Sequence, residues 1–91
     1  MSGFVHYDLD WQPAGAVVEV TLRERANVRL VDSANFRAYR SGRSFRAIGG
    51  QALRSPLRLE VPHGDHWHVV IDLGGASGRI HSGVRVLAGA V

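Results

Sequence analysis

The stretch His66-Trp67-His68-Val69-Val70-Ile71-Asp72-Leu73 decides the fold. Successive side chains of an extended chain point to opposite faces. Trp67, Val69, Ile71 and Leu73 therefore share one face, and His66, His68 and Asp72 share the other. The alternation predicts a strand with one side in a core and one side in water.

The same period recurs on either side of it. Phe4 to Leu9 reads as a first strand, followed by a turn at Pro13 to Gly15. Val18, Val20 and Leu22 alternate with Glu19, Thr21 and Arg23, and Val28 to Val31 is expected to return as their hairpin partner. Leu57, Leu59 and Val61 alternate with Arg58 and Glu60 between Pro56 and Pro62, which trim both ends. Ile80, Ser82, Val84 and Val86 alternate in the last strand, which is expected to neighbour the first. The middle differs. Asp32 or Ser33 can cap a helix carrying Phe36, Tyr39 and Arg40, and Gly42 can end it, so a single helical turn or a compact loop is expected there. Ser44 to Ile48 reads as a short strand that Gly49-Gly50 breaks. Six or seven short strands with glycine-rich turns predict an all-β domain spanning 1–91, a small antiparallel β-sandwich or partly open barrel with one short helical turn.

Composition bounds the function. A chain of 91 residues suits a single domain with a modest core. Cysteine is absent, which excludes disulfide and thiolate chemistry and fits a cytoplasmic protein. The N-terminus lacks the basic and apolar pattern of a signal peptide, and no apolar run is long enough to span a bilayer. All 11 basic residues are arginine, an imbalance that a GC-rich genome would also produce. Their placement is uneven: six arginines and no acid lie between Ser33 and Leu59.

These segments resemble a bacterial family, domain-of-unknown-function family 1883. The matching stretches are Phe4-Val5-His6-Tyr7-Asp8-Leu9, Gly15-Ala16-Val17-Val18-Glu19-Val20, Ala26-Asn27-Val28-Arg29-Leu30-Val31-Asp32, Tyr39-Arg40-Ser41-Gly42, and Trp67 with Ile71-Asp72-Leu73-Gly74-Gly75. The resemblance covers nearly the whole chain. It implies a module that stands alone or is joined to others, TIR domains included, in a recognition or regulatory role. It carries over no catalytic residue.

Three side-chain groups bear on chemistry. Arg37, Arg40, Arg43 and Arg46 recur every three residues, interleaved with Phe36, Tyr39 and Phe45, and Arg54 follows. Guanidinium groups hold phosphates and aromatic rings stack on bases, although the same rings could simply pin the loop to the core. His63, Asp65, His66 and His68 have the residue types of a zinc or nickel site, with His81 as a more distant candidate. No long-range spacing supports a metal there, and imidazoles on a strand surface are common, so no cofactor is expected. Ser77, His81 and Asp72 have the types of a hydrolytic triad, but no nucleophile-elbow motif accompanies them.

The expectation is a non-enzymatic binding module. Its ligand-binding residues are Arg37, Tyr39, Arg40, Arg43, Arg46 and Arg54, and its partner is a small phosphate-bearing anion or an acidic protein surface. Backbone amides at the Ser41-Gly42 turn are expected to add donors to that anion. A net charge of +3 argues against long duplex nucleic acid. The alternatives are a structural or oligomerisation module pairing through a sheet edge, and a small His-based metal-binding protein.

Overall fold

A computed structural model describes residues 3–76 and 78–87. Within them the chain runs β1 (Phe4–Gln12), β2 (Val17–Leu22), β3 (Ala26–Asp32), α1 (Ser33–Arg40), β4 (Ile48–Ala52), β5 (Leu57–Glu60), β6 (Asp65–Asp72) and β7 (Ser82–Leu87). The strands form two antiparallel sheets, ordered β1-β6-β3-β4 and β5-β2-β7. The architecture is the all-β sandwich that the alternation predicts, with neither sheet closed into a barrel. Among the described residues no helix is long and apolar enough to cross a membrane.

The main core lies between the sheets. Val18 and Val20 of β2 and Leu59 of β5 face Val28 and Leu30 of β3 and Trp67, Val69 and Ile71 of β6. These are the positions the period of two assigns inward, and the valines and isoleucine among them are fully enclosed. The Trp67 indole also donates its Nε1–H to the His63 carbonyl at 3.0 Å, so its polar atom is satisfied inside the core.

The second face of β6 departs from expectation. His68 and Asp72 are not in water; both are buried, together with Val70. Helix α1 crosses this face, and Phe36 joins Val31 and Val70 in a smaller core flanked by Phe4, Tyr39 and Phe45. The domain is thus three layers deep at β6: small sheet, large sheet, helix. Asp32 caps α1 by accepting from the Asn35 backbone N–H at 2.8 Å. The helix runs for eight residues, longer than a single turn, because this cap and the Phe36 anchor hold both ends of its first turns.

Two pairings and two strand boundaries differ from the expected ones. Val28 to Val31 does not return against β2; β3 crosses to the other sheet and pairs with β4 and β6. The first and last strands are not neighbours: β1 pairs with β6, and β7 pairs with β2. Gly49-Gly50 does not break a strand over Ser44 to Ile48 but lies inside β4, which begins at Ile48. Gly49 has φ +104, and a Cβ there would stand 2.5 Å from the Val28 carbonyl oxygen. Glycine is what lets β4 approach β3 so closely. The last strand likewise starts at Ser82 rather than Ile80.

Truncating Trp67 tests the layered core. Trp67→Ala should destabilise the domain by about 3–5 kcal/mol, through lost burial and the cavity left behind. Urea unfolding followed by far-ultraviolet circular dichroism measures it, and a loss below about 1 kcal/mol would contradict a fully packed indole.

Candidate anion-binding cleft

The sheet register assembles a polar cluster at the end of β6. Asn27 of β3 stands directly across from Asp72, and Arg29 lies two residues further on the same face. Asp72 accepts from Asn27 Nδ2 at 2.9 Å, Arg29 Nη1 at 2.8 Å, Tyr39 Oη at 2.6 Å and the Gly74 backbone N–H at 2.9 Å. Burial alone would push this carboxyl upward, but these donors outweigh it and hold the group below the usual carboxylate range. The same burial, reinforced by the bond to Asp72, pushes the Tyr39 hydroxyl far above the ordinary tyrosine value. Tyr39 is therefore a neutral donor at any physiological pH.

Around this cluster opens a cleft of about 320 Å³, lined chiefly by Phe4, Arg29, Tyr39, Arg40, Phe45 and Asp72. Its aromatic walls interlock edge to face: Phe4 and Tyr39 lie 5.1 Å apart at 80°, and Tyr39 and Phe45 lie 5.2 Å apart at 89°. Arg29 sits 5.7 Å from the Phe45 ring centre and Arg40 5.4 Å from that of Phe36. Asp72 is already neutralised by Arg29, so the free charge of the cleft is the positive one on Arg40.

The arginines expected to act together are dispersed. Arg40 lines this cleft with Tyr39, while Arg37 and Arg43 are exposed nearby in sequence. Arg46 lines a different cleft with Asn35, His63 and Trp67. Arg54 lies in a third, among Arg23, Arg25 and Leu53. Arg58 belongs to a separate network on the outer face of the small sheet. There Arg58 donates to Glu19 Oε2 at 3.0 Å and Arg85 to Glu19 Oε1 at 2.6 Å. These bonds, the Arg85 one foremost, hold the buried Glu19 below the usual glutamate range. The stretch without acids in sequence is thus partly paired by an acid from elsewhere.

Other expectations change as well. The amides of Ser41, Gly42 and Arg43 are not free for an anion; they bond to the carbonyls of Arg37, Tyr39 and Ala38 and close the helix. The interleaved rings mainly pin α1 and its following loop to the sheet, Phe36 completely and Tyr39 and Phe45 in part. His81 bonds to Glu24 at 2.6 Å, so the Ser77/His81/Asp72 arrangement is not formed by His81 and Asp72, and Ser77 lies outside the described residues. Arg29, Asn27 and Phe4 escaped sequence reasoning. The signal was a polar face on β3, Asn27 and Arg29, opposite an acid on β6, visible only once those strands are paired.

The histidines divide into two groups. His63 lies 3.6 Å from Asp65 and near Asp32. His66 and His68 instead face β1, where His66 Nε2 meets Asp8 Oδ1 at 2.6 Å and His68 Nδ1 meets His6 Nε2 at 2.8 Å. The other nitrogen of His68 meets Ser33 Oγ at 2.8 Å. Burial, above all, lowers the His68 pKa and keeps the ring neutral.

The chain belongs to the family Domain of unknown function (DUF1883), whose model it matches over residues 2–90. No curated protein and no solved structure gives a significant match to it.

Asp72→Asn tests the cluster at the base of the cleft. Removing the charge leaves Arg29 and Tyr39 poorly matched and should cost about 3 kcal/mol at pH 7. Because the folded-state pKa is depressed, the stabilisation is present above the ordinary carboxylate pKa of about 4 and lost as pH falls below it. Urea midpoints at neutral and acid pH should therefore converge between the wild type and the variant as the pH is lowered. A constant gap would show that the charge is not what matters.

Proposed function

We propose that this domain is a non-enzymatic binding module that takes a small phosphate-bearing anion, of mononucleotide size, in the cleft between Arg29 and Arg40. One observation carries the reading: the cleft joins a guanidinium that has no acidic partner among the described residues to three aromatic rings, while the acid in its lining is already neutralised. A guanidinium gives a phosphate paired, charge-assisted donors, and the rings offer faces and edges to a planar base. Arg29 uses one nitrogen on Asp72 and has further N–H groups to offer. The volume of about 320 Å³ is at the small end of ligand sites, which favours a compact anion over an extended acidic surface. Exposed Arg37 and Arg43 add positive potential that steers such a ligand. The reading suits a cytoplasmic setting, with which a cysteine-free chain is compatible.

A panel of purine and pyrimidine mononucleotides and inorganic phosphate, titrated at low salt by calorimetry, tests this. At least one mononucleotide should bind, and binding should weaken as salt is raised. Arg40→Ala should reduce that affinity by about 10- to 100-fold with thermal stability little changed, the range for a hydrogen bond to a charged group. Arg54→Ala should leave it unaltered, since Arg54 lines another cleft. No binding by the intact protein would defeat the reading, as would equal losses in both variants.

A further inference from the structure

The large sheet carries a second constellation, which shares no residue with the cleft. β1 and β6 pair antiparallel with Asp8 opposite His68 and His6 opposite Val70. A register shift between Asp8 and Trp11, at Asp10 with φ 58, brings His66 onto the Asp8 carboxylate. The Asp10 backbone N–H donates to Asp8 Oδ1 at 2.9 Å and steadies it. His6, Asp8, His66 and His68 consequently gather on one face beside α1. One donor atom each from Asp8, His66 and His68 lies within 4.8 Å of the other two. His6 Nε2 is 2.8 Å from His68 Nδ1.

We infer that Asp8, His66 and His68 form a site for a divalent transition-metal ion of the zinc class, with solvent completing its coordination. Two imidazoles and one carboxylate are a donor set that suits zinc and its neighbours and disfavours magnesium or calcium. Tetrahedral ligands at about 2.0–2.1 Å from zinc stand about 3.3 Å apart. The His66–Asp8 pair at 2.6 Å opens by about 0.7 Å to reach that spacing, and the donor atoms that stand as much as 4.8 Å apart close onto the ion. Asp8 and His66 are half exposed, so their torsions can adjust and the ion has a route in from solvent.

The surroundings suit ligation. His68 is 6% exposed, and Ser33 Oγ engages its Nε2 at 2.8 Å, which leaves Nδ1 directed at His6 and the cluster. Phe36 stacks on His6 at 4.1 Å and on His68 at 4.7 Å, fixing both ring planes. His66 and His68 stack at 4.8 Å with their planes 25° apart, so ligation turns the half-exposed His66 ring until its lone pair and that of His68 meet on the ion. The other candidate group, Asp32, His63 and Asp65, has one imidazole only, and Asp32 is already engaged as the helix cap.

The test uses the full chain without an affinity tag, freed of metal by a chelator. Zinc should bind one ion per chain with submicromolar affinity by competition titration, and magnesium should not bind. Cobalt(II) should give the visible absorption of a tetrahedral nitrogen–oxygen site. Asp8→Asn and His66→Ala should each abolish submicromolar binding while circular dichroism stays unchanged, and His63→Ala should retain it. Ser33→Ala should weaken binding by about 10- to 100-fold, as expected for a residue that only orients a ligand. If His66→Ala alters the fold, Asp8→Asn alone decides, because Asp8 lies on an edge strand. Absence of zinc binding by the intact chain would overturn the inference. So would affinity that survives in Asp8→Asn, or affinity that disappears in His63→Ala, since the metal would then lie elsewhere.

Discussion

Strand β6 is buried on both faces, and its second face is not apolar. Beneath the helix it carries His68 and Asp72 beside Val70. A buried imidazole or carboxylate is tolerated only if its polar atoms find partners, because an unmet group costs on the order of 1–3 kcal/mol and a lone charge more. The domain meets this demand with groups from three elements: His6 from β1, Asn27 and Arg29 from β3, and Ser33 and Tyr39 from α1 all reach the polar atoms of β6. Among the described residues no buried side-chain polar atom lacks a partner. The position of α1 follows from this requirement together with the Phe36 anchor, since Ser33 at one end serves His68 and Tyr39 towards the other serves Asp72.

That arrangement also accounts for where chemistry can occur. Polar groups forced together under a helix leave clefts at its rim, and the two constellations sit at opposite ends of β6. At the Asp72 end, neutralisation of the acid leaves Arg40 as the dominant charge beside aromatic walls. At the His66 end, two half-exposed ligand-type residues stand against two that are oriented by Phe36 and Ser33. The Glu19 network with Arg58 and Arg85 on the small sheet contrasts with both. It is a ladder across three strands, with one acid facing an arginine on each side. It ties the small sheet together on its solvent side.

The distribution of arginines shows how linear proximity misleads. Arg37, Arg40, Arg43 and Arg46 are neighbours in the chain, yet they occupy a helix face and an extended loop and contribute to more than one cleft. Arg29, remote from them in sequence, joins Arg40 because β3 lies beside β6. The histidine cluster behaves in the same way. His63 and Asp65 look continuous with His66 and His68, but the strand begins at Asp65 and turns alternate side chains away. The acid that joins His66 and His68, Asp8, comes from a strand nearly sixty residues earlier.

What the sequence by itself determined was local. Period-two alternation marked β1, β2, β5 and β6 and their inward residues, since burial of one pleated face imposes that pattern directly. Asp32, Phe36 and the Ser41-Gly42 end marked a helix, because capping and C-terminal closure are local chemistry. Only the tertiary structure decided the rest. Strand order, the burial of β6 on both faces and the membership of both sites depend on pairings between residues far apart in the chain. Those pairings are chosen by how the whole set of apolar faces and buried polar groups can be satisfied together. Gly49 illustrates the limit: as a letter it reads as a strand breaker, and only the approach of β4 to β3 shows why glycine is required there.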